Sequence, residues 1–358
     1  MLPLAAAAAV AVVAVAASVI VPHALPGHDR QALSPSSGQE PSAGTVLPWP
    51  QFFVSVLGPA GSLYPGSATV HSVTTGRVLA HLSPPRPGFF FAAVAATGDD
   101  RKFVLAAQGD NGPCYTWLYQ LTLSASGQVA GLTPLRVPQI TGTLSSGSIA
   151  ASGDGQTVAY YAYLCGARTG DAGDIGVIHL ATGQVSRWST SPPGEQPESL
   201  SLSGDGRLLG FTDMNLGSAS PSMASRILPT DAPQGTLASR SRIVFQGDSP
   251  GIYPTALSTD GTELYGCSTA GSAGADVTIH AYDSATGRLV RVVHTGQRVA
   301  DSGAPFCSIG RSTSGRYLLS QVAASLARVD FTTGKVTALP ATGLYVADVP
   351  DLQPDIAW

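Results

Sequence analysis

Apolar and polar residues alternate in short bursts along this chain, and tight-turn residues separate the bursts. From Leu200 to Phe211, Leu200 and Leu202 alternate with serines, Ser203-Gly-Asp-Gly206 turns the chain, and Leu208, Leu209 and Phe211 begin the return. The pattern predicts strand, turn, strand. Asp-Gly between alternating apolar residues signals a hairpin, because glycine reaches the positive φ that primed turns need.

The same hairpin recurs at Ala151-Ser-Gly-Asp-Gly155, Leu257-Ser-Thr-Asp-Gly261 and Arg311-Ser-Thr-Ser-Gly315, and more weakly at Ala96-Thr-Gly-Asp-Asp100. Its last turn residues fall at 100, 155, 206, 261 and 315, in steps of 55, 51, 55 and 54. A second hairpin signal interleaves with it, ending at Gly76, Gly127, Gly183, Gly287 and Gly334, with Ala232-Pro-Gln-Gly235 as a degenerate member. Two hairpins per repeat make four strands in about fifty residues, the arithmetic of a β-propeller blade. No repeat carries a helical apolar period. A β-sandwich would not explain two turn types in strict alternation.

The unmatched first hairpin, at Gly76, follows one strand-like run, Phe52–Leu57, and the chain ends on a lone apolar strand, Pro354-Asp-Ile-Ala-Trp358. The two ends therefore read as one shared blade, with the C-terminus as its innermost strand. The expectation is an all-β, six-bladed propeller of four-stranded blades closed by both termini, over residues 51–358. Closure hides sheet edges that a linear array would leave open. Loops between the second and third strands, among them Met214 to Ser225 and Cys267 to Asp276, are expected on one face, where propellers place binding surfaces.

The Ser-x-Asp-Gly-Arg-x-Leu and Asp-x-x-Thr-Gly-x-Val runs resemble the WD40-like, Tol-type propeller repeats of bacterial proteins. The Trp-Asp and Gly-His pairs of true WD40 repeats are missing. The order of apolar helix, Pro/Ser linker, Gly76-Arg-Val-Leu, Arg101-Lys-Phe-Val-Leu-Ala-Ala and terminal Asp-Ile-Ala-Trp is similar to membrane-attached actinobacterial propellers, most of which have no assigned function. The resemblance implies a fold rather than an activity.

Ahead of the repeats, Leu2–Val21 carries no charged side chain, and Ser18 is its only strongly polar residue. Twenty such residues at 1.5 Å each span about 30 Å, a bilayer core. Residues 1–22 thus read as a single-pass anchor or, alternatively, as a signal segment cleaved after a site such as Ala14-Val-Ala16. No basic residue precedes the segment and Arg30 follows it, which gives no positive-inside cue. A true N-terminus upstream of Met1 is expected to account for this. Residues 23–50, rich in Pro, Ser and Gly, read as a disordered linker. The propeller is then extracytoplasmic at the cell membrane, or secreted if the segment is cleaved.

Charge narrows the partners. Charged residues make up 12% of the chain and the net charge is -4. Lys102 and Lys335 are the only lysines, and the arginines are scattered, so no basic cluster exists to neutralise a run of phosphates. The partners expected are the membrane and a protein, peptide or cell-wall ligand, with no nucleic acid, for a monomeric propeller.

The four cysteines lie too far apart for a Cys-x-x-Cys site, and an even number in an exported protein reads as disulfides. Cys114 and Cys165 follow the second strands of adjacent blades, one repeat apart. Cys267 ends a second strand and Cys307 opens the next first strand. The expected pairs are Cys114–Cys165 and Cys267–Cys307. Beside them Tyr115, Trp117, Arg168, Asp171 and Asp174 form a candidate ligand face, the aromatics for stacking and the acids as a weak Ca²⁺ candidate that lacks EF-hand spacing. Asp154, Asp205 and Asp260 read as turn-stabilising acids. His71, His179 and His280 repeat on third strands, which reads as packing.

No nucleophile elbow, zinc-binding His-Glu-x-x-His or phosphate loop is present. Runs such as Leu200-Ser-Leu-Ser, expected to line the channel, are poor in acids and histidine. The leading function is therefore a non-catalytic binding module without a cofactor. The alternatives are a lactonase- or hydrolase-like propeller enzyme and the sensor domain of a longer signalling protein.

Overall fold

In the computed structural model, residues 50–56, 66–109, 114–145, 147–165, 173–190, 195–215, 222–248, 253–269, 276–298, 307–312, 315–322, 325–340 and 355–358 are described. The expected anchor and linker, residues 1–49, lie outside them, as do Arg168 and Asp171. Among the described residues no helix is long and apolar enough to cross a membrane.

Six antiparallel sheets succeed one another as blades. Blade 1 joins Asp355–Ala357 to Phe52–Val56, Ala68–Ser72 and Val78–Leu82. Blade 2 comprises Phe89–Ala96, Lys102–Gly109, Tyr115–Leu123 and Val129–Pro134, and blade 3 Ile149–Ala151, Thr157–Tyr163, Gly173–His179 and Gln184–Ser189. Blade 4 has Glu195–Leu202, Leu208–Asn215, Ser222–Pro229 and Arg242–Asp248. Blade 5 has Tyr253–Leu257, Glu263–Thr269, Asp276–Asp283 and Leu289–Arg298, and blade 6 Cys307–Arg311, Tyr317–Val322, Ser325–Asp330 and Lys335–Leu339. Closure is as expected: Val54, Ser55 and Val56 pair with Ala357, Ile356 and Asp355.

The outermost strands are the least buried, which explains why they read as less apolar than the strands inside them. Phe52–Val56 is buried at every position, whereas Lys335–Leu339 is exposed or half-buried throughout. The core is a set of layers between blades. Phe91, Leu105 and Val54 pack blade 2 on blade 1, and Phe211 and Tyr161 pack blade 4 on blade 3. Phe53 and Trp358 meet Leu319 and Leu326 across the closing seam of blades 6 and 1.

The first-hairpin turns differ from the primed type. Ser203 and Leu208 close a four-residue connection through a 2.9 Å backbone bond, and the Gly206 N–H bonds the Ser203 carbonyl at 3.0 Å. Only Gly206, at φ 70°, takes the left-handed conformation within the turn, where a type I′ turn needs two such residues. Side chains supply the rest. The Ser203 hydroxyl donates to Asp205 Oδ1 (2.7 Å) and accepts the Leu208 N–H (3.0 Å), while Asp205 Oδ1 accepts the Arg207 N–H (3.1 Å). Ser152/Asp154 and Ser258/Asp260 repeat the arrangement. The turn acids are thus bound to backbone N–H groups, and the preceding serines, unmarked in the sequence reading, complete the motif.

Where a glycine follows the hydroxyl residue of such a turn, as Gly153 after Ser152, Gly204 after Ser203 and Gly98 after Thr97, it is a contact between turns. A Cβ at Gly98 would overlap the Gly153 carbonyl oxygen, and one at Gly204 would lie 2.9 Å from the Thr259 carbonyl oxygen.

Two further expectations change. Gly235 closes no hairpin. Gly235–Thr236 pairs in parallel with Trp188–Ser189 on the outer strand of blade 3, and the short helix Leu237–Arg240 follows. Trp188, fully buried, donates to the Pro233 carbonyl at 3.1 Å, so the excursion shields an edge the ring leaves open. In addition, Met214 and Ser225 belong to paired strands, so the ladder of blade 4 extends into the segment expected as a loop.

Candidate ligand face and central channel

Blades 2 and 3 are stapled together on the loop face. Cys114 and Cys165 form a disulfide, with Cα atoms 5.6 Å apart, linking the segments that follow the second strands of the two blades. The connection between the blades fills the seam beside it. Thr141 and Ile140 pair with Tyr115 and Thr116, and the Gly142 N–H bonds the Cys114 carbonyl at 2.9 Å. Thr143 exchanges backbone bonds with Tyr163 at 3.2 and 3.0 Å. Gln108 clamps Leu144 from both sides, donating at 2.8 Å and accepting at 3.2 Å. Gly142, at φ 126°, must be glycine, because a Cβ would lie 2.5 Å from the Tyr163 carbonyl oxygen. Cys267 is also disulfide-bonded. The side chain of Cys307, its expected partner, lies outside the described residues.

Tyr115 and Trp117 are half-buried on the third strand of blade 2. Trp117 packs against Phe89 (4.9 Å between ring centres), with Tyr115 edge-on at 6.3 Å, and the exposed Arg86 lies over both Trp117 (5.5 Å) and Phe89 (5.7 Å). The result is a partly open aromatic shelf capped by a cation. Asp174 is the second residue of the third strand of blade 3, and burial raises its pKa while the charge of Arg187 pulls it down. The structure therefore brings the two aromatics together, with Trp117 and Phe89 packed against the core layer between blades 1 and 2.

The central channel holds charge, although runs such as Leu200-Ser-Leu-Ser that line it are poor in acids and histidine. The innermost strands enclose a cavity of about 110 Å³ bordered by Asp355, Ser199, Ser201 and Arg311. The Asp355 carboxylate crosses from blade 1 to blade 2, where Oδ2 accepts the Val94 N–H at 2.8 Å. The amides of Gly147 and Ile356 also point at it, yet burial outweighs these donors and pushes its pKa up to about 6. Arg311 spans from blade 6 to blade 4 and donates from Nη2 to the Leu202 carbonyl at 3.1 Å. Glu198, also on an innermost strand, is pushed up to about 7 by burial. It precedes Ser199, whose φ of 53° marks a bulge in the pairing with Leu208–Asn215.

No family model and no curated protein matches the sequence. Among solved structures, the propeller is similar to TolB from Acinetobacter baumannii at 17% identity and a TM-score of 0.53, over 86% of this chain and 66% of that one. The fold resembles the TolB propeller. A functionally unknown protein from Desulfotomaculum acetoxidans DSM 771 aligns at 14% identity and a TM-score of 0.46, over 86% of this chain and 99% of that one. An oligogalacturonate lyase in complex with manganese aligns at 12% identity and a TM-score of 0.44, over 80% of this chain and 71% of that one. At these identities the likeness to TolB speaks to architecture and leaves ligand and chemistry to the residues. The chain spans just under two thirds of the TolB chain.

Two of the repeated histidines, His71 and His280, serve packing. His71 is fully buried, stacks on Phe53 at 4.6 Å and meets Ser55 Oγ through Nε2 at 3.0 Å, and burial lowers its pKa to about 4. His280 lies between Thr278 (3.0 Å) and Tyr282 (3.2 Å), with its pKa lowered first by burial and then by the charge of His294. Among the described residues, no three His, Cys, Asp or Glu side chains converge as a metal site would require.

Proposed function

We propose that this chain is a non-catalytic, membrane-tethered extracytoplasmic propeller that binds a protein, peptide or cell-wall ligand on the loop face of blades 2 and 3. The observation that carries the reading is the Cys114–Cys165 cross-link. Structural disulfides persist in oxidising compartments, which favours export. This one joins two blades at the face where propellers vary their loops, and a rigid platform lowers the entropy lost on binding. The shelf of Arg86, Phe89, Trp117 and Tyr115 beside it offers stacking surface to a sugar ring or a peptide side chain. The apolar Leu2–Val21 supports tethering, since its length matches a bilayer core.

A propeller enzyme is the second reading, and it draws on Asp355 and Glu198, whose raised pKa values are those of candidate acid–base groups. Against it, the Asp355 carboxyl is occupied by backbone amides and the cavity beside it is small.

The test is sedimentation of the purified chain with isolated cell-wall sacculi, comparing wild type with Tyr115→Ala and with the paired Cys114→Ser/Cys165→Ser variant. The reading expects co-sedimentation that either variant weakens at least tenfold. Co-sedimentation unaffected by both variants would place the binding surface elsewhere.

A further inference from the structure

We infer that the central channel is a binding site for a small monovalent anion, of the size of chloride to acetate, held against the guanidinium of Arg311. Arg311 ends the innermost strand of blade 6, and its side chain crosses the channel to the Leu202 carbonyl of blade 4. Its Nη1 is fully enclosed and has no hydrogen-bond partner, and no carboxylate pairs with it among the described residues. Burying a cation without a counter-charge is heavily penalised. Burial does lower the Arg311 pKa, to about 10, which leaves the group charged at neutral pH.

The carboxylates nearby are committed. Asp260 acts on Arg311 only through space, with its Oδ1 engaged by Ser258 and Thr262. Asp355 borders the same cavity but takes the Val94, Gly147 and Ile356 amides.

What remains is the cavity itself. Arg311 borders its 110 Å³, and so does Ser201, whose hydroxyl accepts the Leu257 N–H at 3.0 Å and keeps its own proton to donate. A water occupies about 30 Å³ of liquid, so the space takes a few waters, or a halide or small carboxylate with a water. A guanidinium N–H donates a charge-assisted hydrogen bond to a carboxylate oxygen or to a halide alike, and either suits the one open Nη1. The anion would also hold blades 4 and 6 together across the channel, so binding stabilises the fold.

The experiment is thermal melting of the full chain in detergent, at constant ionic strength, as potassium gluconate is exchanged for potassium chloride and, in separate arms, for acetate and formate. A ligand that binds only the folded state raises Tm with saturating dependence on its concentration, here by about 2–4 °C for a domain of this size. Arg311→Gln should abolish the saturable rise, while Arg207→Gln, at an exposed turn, should keep it. The arm saturating at the lowest concentration identifies the preferred anion.

Should Arg311→Gln fail to fold, ³⁵Cl line broadening by the wild-type chain, narrowed again by acetate, gives an independent reading. A wild-type Tm without saturable dependence, a rise retained in folded Arg311→Gln, or chloride lines that the protein does not broaden would each overturn the inference and leave water as the occupant.

Discussion

Replacing Asp355 by Asn isolates the carboxylate that ties the C-terminal strand into the ring. Asp355 sits where chain ends meet, accepting the Val94 N–H at 2.8 Å across 261 residues of sequence. Asn keeps one acceptor oxygen for the three amides and adds two donors, so some loss of stability is expected at every pH. The informative quantity is how that loss changes with pH. Burial raises the Asp355 pKa from 3.8 to about 6. The folded state therefore holds its proton more tightly than the unfolded state between these values. Stability from this group is complete below about pH 4 and is lost as pH rises through 6.

At 1.36 kcal/mol per pKa unit the swing is about 3 kcal/mol, or roughly 6 °C in Tm for a domain of this size. Other titrating groups, including Glu198 and His71, act equally in both proteins and cancel in the difference. Melting curves for the two proteins from pH 4 to pH 7.5 should show the wild-type advantage shrinking by that amount as pH rises, then levelling. An advantage that stays constant would mean that the amide donors balance burial, and one that grows with pH would mean that they outweigh it and that the carboxylate is the favoured form.

Three further outcomes follow from the packing, the cross-link and the N-terminal segment. Gly98→Ala drives a methyl group into the Gly153 carbonyl and should cost about 3 kcal/mol or more, whereas Gly131→Ala, with nothing within 4 Å, should be near neutral; equal melting temperatures would dismiss turn-to-turn packing as a constraint. Cys114→Ser with Cys165→Ser opens a loop spanning 51 residues and should cost up to about 4 kcal/mol by chain entropy, while thiol counting on the denatured, unreduced wild type should find no free cysteine. The anchored reading expects the chain to stay in the membrane fraction at high salt, with protease on intact cells releasing a soluble propeller by cutting within residues 23–50; a secreted protein beginning near Ala17 would show the segment to be a cleaved signal.

The architecture was legible because a propeller repeats its turns. Gly155, Gly206, Gly261 and Gly315, and Gly76, Gly127, Gly183, Gly287 and Gly334, all have positive φ, and their spacing alone counts the blades. Blade 4 was misread at Gly235 because a turn-like Pro-Gln-Gly there serves a neighbour's edge rather than its own hairpin. The Cys114–Cys165 pair was legible for a similar reason, since a separation of one repeat places two residues at equivalent points of adjacent blades.

The channel was not legible. Asp355 belongs to a strand read for its apolar residues and Arg311 opens a run read as a turn, and nothing local marks a side chain that will cross to another blade. Their partners, Val94 and Leu202, become neighbours only when the ring closes. The serine of each turn motif was overlooked because a hydroxyl that bonds its own backbone looks, in sequence, like any surface serine.

The claim that blades 2 and 3 carry the ligand is met most directly by photocrosslinking in intact cells. A benzophenone amino acid at Tyr115 reports on the stapled loop face, and the same group at Arg207 reports on the turn face. Illumination followed by mass spectrometry should give one defined adduct from position 115, reduced when Cys114 and Cys165 are both serine, and none from position 207. Adducts of equal yield from both positions, or from position 207 alone, would contradict the account.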